Sequence, residues 1–171
     1  AFSTAVDSVG NIFLAGAFQG RVNFGDGNMN SAGGWDICVA KFDPSGTVLW
    51  SDRFGDSADQ SASSISVDNR GNVIILGWFE GSINFGGGTL NSSGDKDICL
   101  ASFSSAGVHQ WSDRFGDGAE QIASGLDIDS SNAIILTGYF NGAIDFGGEN
   151  LINQGDENIF IAKLNQDGGH I

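Results

Sequence analysis

The chain has 171 residues, including 27 glycines and one proline, and its 21 acidic side chains against 7 basic ones give a formal charge of −14. This charge repels nucleic acid and anionic lipid, so we expect neither as a partner. No stretch of the sequence is apolar for long enough to cross a bilayer, which predicts that the chain has no membrane span.

The sequence aligns with itself at a spacing of 61 residues. The segment Trp50–Asp56, for example, recurs unchanged as Trp111–Asp117. A fixed period of this length indicates that each repeat is one structural unit. We therefore predict three units, at residues 1–61, 62–122 and 123–171. Abundant glycine, β-branched and aromatic residues, without long helical patterns, favour an all-β fold.

The second unit has the clearest strand pattern. Alternation and turn residues predict antiparallel strands at Ser64–Val67, Val73–Phe79, Asp97–Phe103 and His109–Phe115. Asp68–Asn72 has the residues of a hairpin turn, with a glycine that tolerates positive φ. The second strand is apolar on both faces and should lie inside the sheet, covered on both sides. About four such strands in each unit predict β-propeller blades that stack on their neighbours.

Several phrases also resemble a known family. The segments Val6–Phe13, Val39–Ser51 and Arg53–Asp56 look like the bacterial β-propeller repeat family often called SBBP, and the resemblance covers essentially the whole chain. Members are similar to large extracellular or surface-associated bacterial proteins, often with adhesion modules. The resemblance thus implies an extracellular or cell-surface location and a binding role, and it brings no catalytic residue to any position here.

The third unit is expected to be incomplete. The chain is twelve residues short of three full periods, and the shortfall corresponds to Trp111–Ile122 of the second unit, its fourth strand and the linker that follows. Propellers generally close with about four to eight blades. We therefore expect either continuation into further blades or association between copies of the chain.

Two acidic linkers are the first candidate ligand site. Asp56 and Asp59 follow the fourth strand of the first unit, and Asp117 and Glu120 occupy the same places after that of the second. Carboxylates gathered around an axis would suit calcium, which prefers oxygen ligands. Alternatively, these side chains cap the turns of their own linkers. We expect no resident cofactor, with Ca²⁺ as the cation that such linkers would take.

Tryptophan provides a second candidate. The positions equivalent to Trp35 hold Lys96 and Glu157, and such free variation predicts an exposed side chain. An exposed tryptophan can stack on a sugar, but it can equally fill an interface. Trp50 and Trp111 are identical in register and are predicted to be packing anchors.

The cysteines and arginines also lie in register. Cys38 and Cys99 occupy equivalent positions in successive units, too far apart for a disulfide, so we predict buried thiols. Arg53 and Arg114 each follow an aspartate in the strand, and adjacent strand residues point to opposite faces. We expect these arginines to bond to neighbouring units.

Together these features predict a non-enzymatic scaffold for binding or adhesion, whose partner is a protein, a glycan or another copy of the chain. The two histidines, His109 and His170, lie in separate repeats with no serine or cysteine nucleophile motif. Two alternatives stay open. One is a carbohydrate-active enzyme with a pair of loop carboxylates, and the other is a structural repeat protein that self-assembles.

Overall fold

A computed structural model describes residues 3–171 of the chain. These residues form 17 β-strands arranged in antiparallel sheets, with no helix among them. None of the sheets formed by the described residues closes into a barrel. Over the same range there is no helix of the length and apolarity that a membrane crossing requires.

The first repeat is a four-stranded sheet with a small hairpin inserted in it. Its strands are β1 (Ser3–Val6), β2 (Ile12–Phe18), β3 (Arg21–Asn23), β4 (Asn28–Asn30), β5 (Asp36–Phe42) and β6 (Val48–Phe54). The main sheet has the order β1-β2-β5-β6, and β3 pairs with β4 alone. The chain therefore meanders through the main sheet and leaves it once, between β2 and β5.

The second repeat has the same order. Its strands are β7 (Gln60–Val67), β8 (Val73–Phe79), β9 (Ser82–Asn84), β10 (Thr89–Asn91), β11 (Asp97–Phe103) and β12 (His109–Phe115). The four predicted strands are confirmed, and β8 lies inside the sheet as expected. The first strand starts earlier than predicted, at Gln60, and β10 was not predicted at all.

The third repeat has three strands in its main sheet. Its strands are β13 (Gln121–Ile128), β14 (Ile134–Phe140), β15 (Ala143–Ile144), β16 (Leu151–Ile152) and β17 (Asn158–Leu164). The main sheet has the order β13-β14-β17. Beyond β17, a single bridge joins Leu164 to His170, at the place where the fourth strand begins in the other two sheets.

An aspartate organises the turn between the first two strands of each repeat. In the second repeat, the Asp68 carboxylate accepts hydrogen bonds from the backbone N–H of Arg70 and Asn72, and Gly71 takes a φ of +83°. The third repeat has Asn132 in place of this glycine, at a φ of +64°. Asparagine tolerates this left-handed conformation better than most residues, so the turn survives the substitution.

The sheets pack face to face through alternate residues of their inner strands. We call the side of a sheet that points toward the next repeat its forward face, and the opposite side its rear face. In the second repeat the forward face carries Ile74, Leu76, Ile98 and Leu100, which join the core cluster shared with the third repeat. Its rear face carries Val73, Ile75, Cys99 and Ala101, which join the cluster shared with the first.

The first strands of successive repeats lie beside one another. Strand β7 contacts both β1 and β13, and it also packs on β2 of the first repeat. The backbone N–H of Ile65 in β7 donates to the Ser3 hydroxyl in β1 at 3.3 Å. The three sheets are therefore stacked in sequence, with one edge of each gathered along a common line.

Candidate functional site

The acidic linkers join the last strand of one repeat to the first strand of the next. Each begins with a glycine, Gly55 or Gly116, at a φ of +153°. A Cβ at Gly55 would collide with the side chains of Gln60 and Asp36. Glycine is required here because the backbone conformation and the close packing both exclude a larger residue.

Asp56 fastens the first linker to the second repeat. Its carboxylate accepts from the backbone N–H of Ala58, the amide of Gln60, and the N–H and hydroxyl of Ser82, each at 2.8 Å. Gln60 in turn donates to the carbonyl of Glu80 at 3.1 Å. Burial raises the pKa of Asp56, but these hydrogen bonds outweigh it and hold the pKa below its ordinary value.

Asp117 repeats the arrangement in the second linker. Its carboxylate accepts from the N–H of Ala119 at 2.9 Å, the amide of Gln121 at 2.7 Å and the N–H of Ala143 at 2.7 Å. Gln121 donates to the carbonyl of Asn141 at 2.8 Å. Here too burial raises the pKa, and the hydrogen bonds reverse its effect. Both aspartates thus act as turn caps that bind consecutive repeats together.

Trp35 and Asp59 lie side by side at the junction of the first two repeats. The backbone N–H of Trp35 donates to the Asp59 carboxylate at 2.8 Å, and its carbonyl accepts from the N–H of Gln60 at 2.6 Å. The Trp35 side chain is 48% exposed, which confirms the prediction of exposure. The Asp59 carboxylate therefore holds the backbone of a residue whose indole is half-exposed.

Glu120 has a different environment at the next junction. Lys96 donates to its carboxylate at 2.8 Å, and the same ammonium lies 5.0 Å from the centre of the Trp78 ring. The hydrogen bond to Glu120 raises the pKa of Lys96. The residues equivalent to Lys96 and Glu120 in the first junction are Trp35 and Asp59. The second junction therefore has an ion pair at the place where the first junction has an aromatic residue beside an aspartate.

A buried ion pair in each complete repeat was not predicted. Arg53 donates to the Asp36 carboxylate at 2.5 Å, and Arg114 makes the same contact to Asp97. Both aspartates are fully buried. The expectation that these arginines bond to neighbouring repeats is wrong, because each is paired within its own sheet. The signal was available, since Asp36 and Asp97 begin equivalent strands and the third repeat has Asn158 there.

The second oxygen of each buried aspartate has no hydrogen-bond partner within residues 3–171. Burial raises the pKa of Asp97, and the hydrogen bonds from Arg114 and Ser93 oppose this rise. The guanidinium beside each carboxylate makes the place unfavourable for a metal cation, because like charges repel. These pairs therefore hold the fourth strand to the third and do not form a ligand site.

The two cysteines are buried thiols of low reactivity. Cys38 and Cys99 are buried and form no disulfide, as predicted. Desolvation raises the pKa of Cys38 to about 11 and that of Cys99 to about 12. Because the thiolate is the nucleophile and the metal ligand, neither side chain is suited to catalysis. Over residues 3–171, no three His, Cys, Asp or Glu side chains are grouped so that they could hold a metal ion.

The forward face of the third repeat is an exposed apolar surface. Ile159 and Ile161 of β17 are 88% and 74% exposed, whereas the equivalent Ile98 and Leu100 of the second repeat are both 0% exposed. The two isoleucines, with Thr137 and Tyr139 of β14, line an open concavity of about 500 Å³. This surface was not among the predicted site residues, although the predicted incompleteness of the third unit pointed to it.

A scan against protein-family models and a search of curated proteins both find no match to the chain.

Proposed function

We propose that the chain is a run of β-propeller blades that serves as a non-enzymatic scaffold for binding or adhesion, at the bacterial cell surface or outside the cell. Two features support the blade arrangement. Each complete sheet is a four-stranded antiparallel meander. The sheets stack face to face with β1, β7 and β13 adjoining, as inner strands would around the axis of a propeller.

The observation that carries the binding role is the exposed forward face of the third repeat. Monomeric proteins rarely expose contiguous apolar surface unless it meets a partner. Ile159 and Ile161 are largely exposed at positions that the first two repeats bury completely or almost so. An apolar surface on the face of a sheet suits a protein partner, and the strongly acidic chain disfavours nucleic acid.

The contacts of the acidic linkers favour a scaffold over a carbohydrate-active enzyme. A glycosidase needs two carboxyl groups that face one cleft, about 5 to 10 Å apart. Asp56 and Asp117 instead accept hydrogen bonds from the backbone and amides of their own linkers. Asp59 and Glu120 are engaged by the Trp35 N–H and by Lys96. Carboxylates used in this way are suited to holding loops in place.

A combined binding and hydrolysis screen tests the proposal. The 171-residue chain is applied to a glycan array and to immobilised surface proteins, and the same sample is assayed for release of reducing sugar. We expect binding without turnover. If a glycan binds, the variant Trp35→Ala should lose that binding, whereas Leu49→Ala, which alters a similarly exposed apolar side chain, should retain it. Turnover that disappears on changing one Asp or Glu would contradict the scaffold.

A further inference from the structure

The forward face of the third repeat has apolar residues at the same positions as the forward faces of the first and second repeats, and those two faces are covered within the chain. Ile159 and Ile161 lie in register with Ile37 and Val39 of the first repeat and with Ile98 and Leu100 of the second. In both of those repeats the face is covered by the rear face of the following repeat. The chemistry that fits the third forward face is therefore another rear face of this type.

The first repeat carries such a rear face at the other end of the stack. Ile12 is in register with Val73 and Ile134, which are 0% and 1% exposed because a preceding repeat covers them, yet Ile12 itself is 36% exposed. Leu14 is likewise half-buried where Ile75 is buried. Phe24 and Phe42, 6.0 Å apart between ring centres, continue this surface. Among residues 3–171, the forward face of the third repeat is thus uncovered at one end of the stack. At the other end the rear face of the first repeat is partly uncovered at Ile12 and Leu14, whereas Cys38 and Ala40 on that face are already buried.

A lysine occupies the same position in the first and third repeats, where the second repeat has Ser102. Lys41 of the first repeat reaches forward and donates to the Ser105 carbonyl of the second repeat at 2.9 Å. Lys163 is the equivalent of Lys41 in the third repeat, and Pro44 of the first repeat is the equivalent of Ser105. Lys163 now pairs with Asp129 at 2.9 Å and its side chain is half-exposed. The Pro44 carbonyl of a second copy would give Lys163 the acceptor that Lys41 has.

We propose that the forward face of the third repeat binds the rear face of the first repeat of a second copy of this chain, head to tail. The inference rests on the proposed scaffold function and names the scaffold's partner. The contact is heterologous, because two different surfaces meet. Repetition of it closes a ring when the rotation between repeats permits, and otherwise gives an open stack.

Charge sets the conditions for this association. Each copy carries a formal charge of −14, so two copies repel one another at low ionic strength. Salt screens this repulsion between surface charges. It does not weaken the favourable free energy of burying Ile159, Ile161 and Ile12. Association should therefore become tighter as sodium chloride is raised from 50 to 500 mM.

Two variants with opposite defects test the proposal by multi-angle light scattering. Ile161→Asp places a charge on the forward face, and Ile12→Asp places one on the rear face. We expect the wild-type chain to show a mass of at least two copies at 100 µM, and each variant alone to be monomeric, with association weakened at least tenfold. An equimolar mixture of the two variants should form a dimer, because one intact forward face and one intact rear face remain.

Controls separate the proposal from its competitors. Val108→Asp changes a side chain that is 60% exposed in a turn of the middle repeat, and it should assemble like wild type. Ile159→Asp provides a second forward-face variant if Ile161→Asp does not fold, as judged by circular dichroism. A wild-type chain that stays monomeric to millimolar concentration overturns the proposal. So does self-association of Ile12→Asp alone, since forward faces would then pair with each other.

The outcomes also distinguish this inference from the proposed function. A monomeric chain that binds a glycan or a surface protein without turnover would refute head-to-tail assembly and leave the scaffold intact. A chain that assembles head to tail but hydrolyses a glycan would support the head-to-tail assembly and refute the non-enzymatic scaffold.

Discussion

The second and third repeats have closely related sequences, but they differ in what covers them. The second repeat is packed on both faces, and its Leu100 and Ile98 are fully buried. The third repeat is packed only on its rear face, and Ile161 and Ile159 at the same register are exposed. The second repeat also has a buried Asp97–Arg114 pair, whereas the third has Asn158 in that place. In this repeat array, burial is therefore decided by the neighbouring repeat and not by residue type.

The largest expected difference is between Leu100→Ala and Ile161→Ala. Leu100→Ala should lower the free energy of unfolding by about 2 to 5 kcal/mol, because it leaves a cavity between two packed sheets. Ile161→Ala should change it by less than about 0.5 kcal/mol, as is usual for an exposed site. Urea unfolding of dilute, monomeric protein measures both. Equal losses would mean that the forward face of the third repeat is packed in solution.

The buried ion pair should give the next largest effect. Arg114→Met leaves the fully buried Asp97 carboxylate without its cation and should cost about 3 kcal/mol of stability. The double variant Asp97→Asn/Arg114→Met copies the neutral side chain found at Asn158 and should recover part of that loss. Urea unfolding again provides the measurement. A double variant that is no more stable than Arg114→Met would show that the carboxylate needs no compensation.

The linker aspartates should make the two junctions respond alike to pH. Asp56→Asn turns an amide toward donor groups and should cost about 1 to 3 kcal/mol at pH 7. The pKa of Asp56 is depressed in the folded chain below the ordinary value of 3.8. Its stabilising effect is thus present above pH 3.8 and is lost as the pH falls through the folded pKa.

The difference in unfolding free energy between wild type and Asp56→Asn should consequently shrink as the pH is lowered from 7 to 2. Asp117→Asn should behave in the same way, because the pKa of Asp117 is lowered by equivalent hydrogen bonds. A difference that stays constant down to pH 2 would argue against a charged Asp56 as the source of the effect.

The smallest expected effect on stability comes from the Lys96–Glu120 ion pair, which is present at the second junction and has Trp35 and Asp59 as its equivalents at the first. A double-mutant cycle of Lys96→Gln and Glu120→Gln should give a coupling of about 0.2 to 1 kcal/mol, since both side chains are partly exposed. The coupling should weaken in 1 M salt. A coupling that is insensitive to salt would indicate that the contact between Lys96 and the Trp78 ring dominates.

Much of the fold could be predicted from short-range pattern. The alternation of β8, β11 and β12 and the Asp-x-x-Gly-Asn turn are local properties, because side chains alternate across a strand and an aspartate caps the turn beside it. The hairpins β3–β4 and β9–β10 were harder to predict, since their strands have three residues each. Runs this short in glycine-rich sequence carry almost no periodicity.

The partners of Arg53 and Arg114 could not be predicted from adjacent residues. Arg53 lies opposite Cys38 across the β5–β6 pair, and Asp36 is two residues earlier on the same face of β5. This diagonal contact depends on the register between two strands, which a long side chain can span. Adjacent strand residues point to opposite faces, which excludes a pair between Asp52 and Arg53, but the partner of Arg53 in the next strand depends on the register of that strand.

The amino-acid sequence alone predicts the repeat, its turns, most of the strands of the second repeat and the buried cysteines, because these depend on residues close together in the chain. The packing of the sheets was needed to show that Asp56 and Asp117 cap linkers, that Asp36 and Asp97 hold arginines, and that Ile161 is exposed where Leu100 is buried. Those facts depend on which sheet lies opposite, and a strand with the same pattern is buried or exposed according to its neighbour.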